Sequence, residues 1–306
     1  MSEPTAASKG ASAKVHVALF GVQIAFATLS IAGKDALQSF APSSIAFLRM
    51  AGATLVLLAF TAARVGVPRV PWRDAAKIFG LALLGIVFNQ LLFLLGLKRT
   101  TPINATLLTC TIPIFTVLIA LVLGREKTRW QSMVGVFISF FGIVFLVGTE
   151  SISFGLDVAV GDLLIVLNAF SYAVYLVLVR PVIEKYGALT VMTLAFLFGT
   201  LAMAPLGIPE LIESAPRATP HAWRLVAFLV LVPTVFTYLL NAWALRRAPA
   251  SLVAIYIYVQ PIATALFNIL LGRGHPSSNV IAAGLLVFVG IALVTRPRRD
   301  TEPGVR

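Results

Sequence analysis

Long apolar stretches alternate with short polar connections along the whole chain. Ten of these stretches have the roughly 17 to 25 residues that an α-helix needs to cross a bilayer core, and Arg49 is the single charged residue within them. They occupy residues 15–33, 45–63, 78–97, 103–123, 130–148, 163–179, 189–208, 225–245, 252–271 and 277–295. This pattern predicts an all-α membrane protein with ten transmembrane helices, numbered 1 to 10 in chain order.

The composition excludes a soluble protein of this length. Of the 306 residues, 59% are hydrophobic and only 12% are charged, whereas soluble domains carry about 25% charged residues. The net charge of +12 does not indicate nucleic-acid binding, because the basic residues lie singly or in small groups between the apolar stretches. We therefore expect membrane lipids, and no nucleic acid, around this chain.

The basic residues also predict an orientation. With the N-terminus in the cytoplasm, the inner connections hold seventeen Lys and Arg residues and the outer ones hold six. The positive-inside rule then predicts a multi-pass protein of the inner, or plasma, membrane with both termini in the cytoplasm. Lys9 and Lys14 imitate the start of a signal peptide, but the first stretch exceeds the roughly 7–15 residues of a signal core, so we interpret it as a permanent helix. The longest connection is predicted at 209–224, too short for an extramembrane domain.

An internal repeat divides the ten stretches into two sets of five. Shifting the sequence by 148 residues, without a gap, superimposes several distinctive positions. These are Val87-Phe88 with Val235-Phe236, Leu97 with Leu245, Arg99 with Arg247, Pro113-Ile114 with Pro261-Ile262, Leu123-Gly124-Arg125 with Leu271-Gly272-Arg273, and Gly142-Ile143 with Gly290-Ile291. Each set has an odd number of spans, so the two halves are predicted to be inverted relative to each other, as in carriers whose site lies between the halves.

Three segments carry short motifs that are degenerate individually and informative together. Residues 96–147 contain Leu97-Lys98-Arg99-Thr100-Thr101, then Pro113, then Leu123-Gly124-Arg125-Glu126-Lys127, with Gly135 and Gly142 further on. Residues 46–53 begin Ala-Phe-Leu-Arg, and residues 245–293 repeat the pattern of the first segment. Together they resemble the EamA family of the drug/metabolite transporter superfamily, and the resemblance covers nearly the whole chain.

The resemblance implies a ten-helix carrier of amino acids, metabolites or drugs, with a central cavity lined mainly by helices 1, 3, 4, 6, 8 and 9. One departure is that the acidic residue of the family's Gly-x-Glu signature is Glu126 in the first half but Gly274 in the second. The predicted parts are a cytoplasmic tail at 1–14, a first EamA-like repeat at 15–148, a connecting loop at 149–161, a second repeat at 162–295 and a cytoplasmic tail at 296–306.

Polar residues recur at helical spacing in several stretches, although lipid-facing positions should be apolar. The stripes are Thr106, Thr109, Pro113 and Thr116; Asn168, Tyr172 and Tyr175; Thr234, Tyr238 and Asn241; and Tyr256, Gln260 and Thr264, with Gln23, Ser30, Asn89 and Gln90 as weaker candidates. We predict a substrate-binding cavity formed by Gln23, Asn89, Thr109, Asn168, Tyr172, Tyr175, Tyr238, Asn241, Tyr256 and Gln260. The alternative is that these side chains only hydrogen-bond neighbouring helices.

Aromatic faces and neutral hydrogen-bonding groups predict the chemistry of the solute. We predict a secondary transporter that moves a small organic metabolite by alternating access, the solute being amino-acid-like, zwitterionic or moderately apolar, or a drug. One alternative is a nucleotide-sugar or sugar-phosphate exchanger of the same superfamily, which would require Lys or Arg pairs in mid-membrane. The other is a passive channel, since neutral polar stripes also suit a pore.

The sequence predicts no enzyme, metal or cofactor site. His16, His221 and His275 lie at stretch ends or in connections, and Cys110 is the single cysteine, so neither a catalytic pair nor a metal cluster is visible. The expected partners are a small-molecule substrate and membrane lipids. The oligomeric state stays open, and a homodimer is one alternative.

Charged residues and prolines bear on the mechanism. Arg49 lies a few residues from the outer end of helix 2, which favours snorkelling or pairing with Asp35 over phosphate binding. Pro113 and Pro261 each remove a backbone donor at equivalent places and act either as hinges or as static kinks. All twelve acidic residues lie outside the ten stretches, which predicts facilitated diffusion or exchange with at most weak coupling to protons.

Overall fold

A computed structural model describes residues 12–66, 69–100, 102–126, 130–147, 156–272 and 278–295. Helices joined by short turns make up all of this part of the chain, with no strand. The helices are α1 (Ala13–Ala36), α2 (Pro42–Arg64), α3 (Trp72–Arg99), α4 (Pro102–Thr109 and Ile112–Val122), α5 (Trp130–Val147), α6 (Leu156–Tyr186), α7 (Ala188–Ser214), α8 (Pro220–Leu245), α9 (Ala250–Ile255, Tyr256–Tyr258 and Val259–Leu270) and α10 (Ser278–Thr295).

Length and hydropathy identify a multi-pass membrane protein. In the described ranges, seven helices are long and apolar enough to cross a membrane, namely α1, α2, α3, α6, α7, α8 and α9. Within the described residues, shorter apolar helical segments occur in α4, α5 and α10, over Leu107–Val122, Trp130–Phe145 and Leu285–Val294. The all-α membrane class predicted from the apolar stretches is therefore confirmed, while the number of ten spans stays a prediction.

Several helices extend beyond the stretches that predict them. The expected loop at 209–224 is wrong in its first part, because α7 continues through Pro205 and Pro209 to Ser214. A proline removes only one backbone donor, and prolines are tolerated within transmembrane helices because neighbouring groups bond the freed carbonyl. Helix α6 begins at Leu156, inside the stretch 149–161 assigned to a connecting loop.

The 148-residue repeat reappears in the local geometry of the backbone. Helix α3 widens into a π-helical turn at Leu83–Phe88, and α8 does the same at Leu231–Phe236, 148 positions later. Gly124 and Gly272 end α4 and α9 with φ of 61° and 68°, in the left-handed region that glycine adopts without steric penalty. The two halves therefore share irregular features as well as regular helices.

The helix pairs follow the same repeat. Helix α2 packs against α7 and α5 against α10, so each of these helices contacts its own equivalent in the other half. Helix α3 packs against α6, and the equivalent pair, α8 and α1, also packs together. The Ser139 hydroxyl donates to the Val287 carbonyl over 3.3 Å, a bond between two positions that the repeat makes equivalent. Such contacts between equivalent positions are those expected around a two-fold axis.

Helices α4 and α9 are interrupted just before their equivalent prolines. In α4 the first piece ends at Thr109 and the second begins at Ile112, with Pro113 in its first turn. In α9 a 3₁₀ turn at Tyr256–Tyr258 precedes Pro261. The prolines thus mark real breaks in both helices, and their role as hinges stays a prediction.

Helices α5 and α10 pack with their backbones in close contact. A Cβ atom on Gly290 would overlap the Ser139 hydroxyl and the Gly135 carbonyl oxygen, and one on Gly135 would lie 2.6 Å from the Gly290 carbonyl oxygen. Small residues at such crossings allow apolar helices to associate in a bilayer, where no hydrophobic force between helices is available. The glycines at 135 and 290 are therefore required by packing.

Alanine at Gly290 is expected to destabilise the folded protein by roughly 1–3 kcal/mol, because the crowded helices must move apart. The measurement is the midpoint of thermal unfolding of purified protein in detergent. Gly80→Ala in α3 is the matched control, since a Cβ there meets nothing within 4 Å. The control should unfold at the wild-type temperature or above it, because alanine favours helix. Equal midpoints for the two variants would contradict this packing.

Candidate functional site

A cavity lies in the centre of the helix bundle, between the two halves. About 640 Å³ of space there, including its opening to solvent, is not filled by protein atoms. Its wall is formed by Gln23, Phe26, Leu29, Arg49, Asn89, Gln90, Phe93, Thr109, Ile112, Asn168, Tyr172, Leu176, Tyr238, Asn241, Val253, Ile257 and Gln260. These residues come from α1, α2, α3, α4, α6, α8 and α9, which adds α2 to the helices implied by the resemblance.

The wall combines amide, phenol and hydroxyl groups with aromatic and aliphatic surface. Arg49 supplies the single charge among the wall residues that the structure describes, and none of them is acidic. A site of this kind can bind a solute by neutral hydrogen bonds and apolar contact, and it places one positive charge next to that solute.

Eight of the ten residues predicted from helical spacing lie in this wall. They are Gln23, Asn89, Thr109, Asn168, Tyr172, Tyr238, Asn241 and Gln260. The two others lie outside it. Tyr175 stacks on Tyr172 with 5.8 Å between ring centroids and donates to the Met192 sulfur over 3.7 Å, and the Tyr256 hydroxyl lies 2.6 Å from His16 Nδ1.

Spacing alone could not separate these two tyrosines from the cavity residues. Tyr172 and Tyr175 share one face of α6, but Tyr175 lies almost a turn further along the helix, where the side chains of α7 take the place of the cavity. Tyr256 is 6% exposed and Tyr175 is 2% exposed. Helical spacing predicts the direction in which a side chain points. How far the cavity extends along the helix depends on the side chains of the neighbouring helices.

Carbonyl groups in and just after the π-helical turn of α3 lie within hydrogen-bonding distance of side chains of α6 and α8. The Ser171 hydroxyl donates to the Leu84 carbonyl over 2.8 Å, and the Asn168 amide donates to the Asn89 carbonyl over 2.6 Å. Tyr238 from α8 reaches the carbonyl of Gly85 over 3.3 Å. π-Helical turns are frequent at functional sites, and here this one fixes the side chains of α6 and α8 beside the cavity.

Glycine is needed at position 85 because α6 approaches closely. A Cβ atom at Gly85 would overlap the ring of Tyr175. The repeat places Pro233 at the equivalent position of α8, where the π-helical turn recurs. Proline lacks the N–H that would bond the carbonyl four residues earlier, and the Thr234 hydroxyl donates to that carbonyl, Leu229 O, over 2.7 Å.

Two hydrogen bonds join the cavity helices through their side chains. The Tyr238 hydroxyl donates to Asn89 Oδ1 over 3.1 Å and links α8 to α3. The Asn241 amide donates to the Tyr172 hydroxyl over 3.1 Å and links α8 to α6. These residues therefore both hold neighbouring helices and line the cavity, so the structural and the functional interpretation of the polar stripes apply to the same side chains.

Arg49 occupies the cavity wall, and the snorkelling interpretation is wrong. Its side chain is 1% exposed. Nε donates to the Thr234 hydroxyl over 2.9 Å and Nη2 donates to the Pro233 carbonyl over 3.3 Å. Arg49 lies inside the bundle because the π-helical turn of α8 offers it the Pro233 carbonyl and the Thr234 hydroxyl as hydrogen-bond acceptors. A proline followed by threonine in mid-stretch is one local signal of this site, but which helix would meet α2 there depends on the tertiary packing.

Glu126 has a structural role that the family motif alone left undefined. Its Oε1 accepts the backbone N–H groups of Ala250 over 2.6 Å and Ser251 over 3.4 Å. These are the first residues of α9, whose initial N–H groups have no partner within the helix. A carboxylate at a helix N-terminus also interacts favourably with the helix dipole. Glu126 therefore caps α9 of the second half from the end of α4 in the first.

Metal-ligating residues do not cluster in the described ranges, where no group of three or more His, Cys, Asp or Glu side chains occurs. Cys110 is buried as a free thiol.

Comparison with known proteins shows which family has this arrangement. The profile of the EamA-like transporter family matches the chain twice, over residues 13–148 and 159–296. The chain belongs to the EamA-like transporter family. The EamA resemblance inferred from the short motifs is thereby confirmed.

Relatives of this EamA protein are named as transporters. An uncharacterised transporter of Archaeoglobus fulgidus is 28% identical over 93% of this chain and 98% of its own length. The uncharacterised inner membrane transporter YedA of Escherichia coli is 26% identical over 91% and 89%. A probable terminal-alkyne amino-acid exporter of Streptantibioticus cattleyicolor is 26% identical over 82% and 85%.

A solved crystal structure supports the fold of this EamA protein. It superimposes with a TM-score of 0.76, covering 91% of this chain and 95% of the other, at 21% sequence identity. At that identity the likeness concerns the fold alone.

Proposed function

We propose that this protein is a secondary transporter that carries a small organic metabolite across the inner membrane by alternating access. The observation that supports this most strongly is the central cavity, to which α1, α3, α4, α6, α8 and α9 all contribute polar side chains in otherwise apolar helices. Polar groups are costly inside a membrane and ordinarily mark a pathway or a site. The cavity lies between the two halves, where inverted-repeat carriers bind their substrates.

The proposed architecture has ten membrane spans in two inverted repeats of five. The contacts of α2 with α7 and of α5 with α10 support it, since a two-fold relation brings equivalent helices together. The equivalent π-helical turns and helix breaks support it as well. Movement of one half against the other around the cavity would then expose the solute to each side in turn.

The wall favours an amino-acid-like, zwitterionic or moderately apolar solute. Amide and phenol groups offer hydrogen bonds, and Phe26, Phe93 and Ile257 offer apolar contact. The name of the Streptantibioticus relative, an amino-acid exporter, agrees with such a solute. A sugar-phosphate or nucleotide-sugar exchanger would need paired cations for its phosphates, and the described wall holds Arg49 alone.

The function can be tested by uptake into proteoliposomes. A thermal-shift screen of purified protein with amino acids, nucleosides, sugars and toxic organic compounds would first identify stabilising solutes. The proposal predicts that at least one of them is taken up with saturable kinetics, and that excess unlabelled solute competes. Uptake equal to that of protein-free vesicles for every stabilising solute would refute the proposal.

The orientation gives a separate prediction, based on the excess of basic residues on one side of the membrane. In a Cys110→Ser background, Glu213→Cys should react with a membrane-impermeant thiol reagent in intact cells, because the end of α7 is proposed to face outward. Val65→Cys, at the other end of the bundle and 53% exposed, should react only after the membrane is opened. The reverse pattern would show that the termini lie outside.

A further inference from the structure

Arg49 carries more hydrogen-bonding capacity than the protein uses. A guanidinium group has five N–H donors. In the described residues, Arg49 uses Nε for Thr234 and Nη2 for Pro233, which leaves three donors without a protein acceptor. The side chain is 1% exposed and lines the cavity. Unused donors on a buried cation are therefore available to whatever occupies the cavity.

The charge of Arg49 is also unbalanced. Arg49 takes part in none of the ion pairs formed by the described residues, and the cavity wall they form contains no carboxylate. A buried charge without an oppositely charged partner is strongly unfavourable in a protein interior. Within a membrane, such a charged residue ordinarily marks a functional site. An anion from the solute would supply the missing partner.

We propose that Arg49 is the anion-binding residue of the cavity and that it binds the carboxylate of the transported solute. This inference rests on the transport function proposed above and defines its substrate class as small organic carboxylates, amino acids included. The planar guanidinium can donate two parallel hydrogen bonds to a carboxylate. One carboxylate matches one guanidinium, whereas a phosphate dianion would leave a second charge without a cation.

Gln23 is a second, independent sign of a missing ligand. Its side chain is 2% exposed, and its Oε1 is buried without a hydrogen-bond partner. Buried polar atoms are nearly always paired, so an unpaired one in a cavity wall indicates an absent partner. A solute that donates a hydrogen bond, such as an amino-acid ammonium group, would satisfy it, while its carboxylate binds Arg49 and its apolar part contacts Phe26 and Phe93.

Binding of matched solutes to purified protein in detergent tests the proposal. The probes are 4-methylpentanoate with 4-methylpentanamide, and L-leucine with L-leucinamide, titrated by calorimetry. In each pair only the carboxylate differs, and the wild type should bind the acid about 10- to 100-fold more tightly than the amide, the range of a charge-assisted hydrogen bond. Arg49→Gln should lose this preference, and Arg49→Lys should retain part of it.

Two control variants separate binding from folding. Thr54→Val removes a hydrogen bond between α2 and α7 but leaves Arg49 and its partners intact, so it should lower the unfolding temperature and retain the preference for the acid. Arg180→Gln removes a cation that pairs with Glu184 outside the cavity and should leave binding unchanged. If Arg49→Gln does not fold, a reduced preference in Arg49→Lys together with a full preference in Thr54→Val supports the proposal.

The outcomes distinguish this inference from the transport function. A wild type with no preference for either acid, or an Arg49→Lys variant with the full wild-type preference, overturns the role of Arg49. Carboxylate binding that depends on Arg49 without any uptake into proteoliposomes supports the anion site and refutes the transport function. Saturable uptake of a solute without a carboxylate, unchanged in Arg49→Lys, supports the transporter and overturns the anion site.

Discussion

Alanine at Asn168, Tyr172, Tyr238 or Asn241 is expected to reduce transport about 5- to 30-fold, while the protein stays folded and in the membrane. Each of these side chains lines the cavity and makes a hydrogen bond to a neighbouring helix or side chain. Loss of a wall group that can hydrogen-bond the solute and, for the tyrosines, of an aromatic surface removes roughly 1–2 kcal/mol of solute binding. The measurement is the initial rate of uptake into proteoliposomes at equal protein content.

Matched variants make that prediction specific to the cavity. Leu201→Ala in α7 and Leu285→Ala in α10 shorten side chains that are 63% and 64% exposed and should transport at the wild-type rate. Tyr238→Phe keeps the ring and removes the hydroxyl that bonds Asn89 and should be less impaired than Tyr238→Ala. If all four alanine variants transport normally, the polar stripes are structural and the solute binds elsewhere.

A pH gradient is expected to cause no net accumulation of solute. The described cavity wall contains no Asp, Glu or His, so the residue types that usually carry protons in carriers are missing from it. Symport with one proton would give about tenfold accumulation for one pH unit, which corresponds to ~1.4 kcal/mol. Proteoliposomes at zero membrane potential should instead reach equal concentrations on both sides.

The outcome that contradicts this expectation is uphill accumulation that collapses with a protonophore. Asp35 in α1 and Asp162 in α6 would then be the first residues to replace. The Asp162 carboxylate accepts a hydrogen bond from the Thr100 hydroxyl, which supports a structural role at the helix end. Loss of accumulation in Asp35→Asn or Asp162→Asn would identify the coupling residue.

The pattern of apolar and polar residues was sufficient to predict the class of fold and much of the cavity wall. A polar residue in an apolar helix must face another helix or water, so helical spacing alone located Asn168, Tyr172, Tyr238 and Asn241. The equivalent prolines, Pro113 among them, likewise indicated where α4 and α9 are interrupted. These signals are local, because each of them can be recognised within the sequence of one helix.

The features that the sequence did not predict depend on contacts between helices. Arg49 is near the end of its apolar stretch, and only the approach of Thr234 and Pro233 from α8 holds it inside. Tyr175 has the same spacing as its neighbours, but it meets Met192 of α7 instead of the cavity. Phe26 and Phe93 are apolar residues in apolar helices, and nothing in the sequence distinguishes a cavity wall from ordinary packing for them.

Solute counterflow tests the central claim most directly. Proteoliposomes are loaded with a high concentration of an unlabelled solute from the binding screen and diluted into a trace of the same solute carrying a label. If the cavity opens to one side at a time, we expect transient uphill uptake of the label. The reason is that unlabelled solute leaving the vesicle brings the binding site back to the outside, where it can bind labelled solute. Label that only equilibrates, at a rate independent of the unlabelled solute inside, would contradict the account and indicate a passive channel.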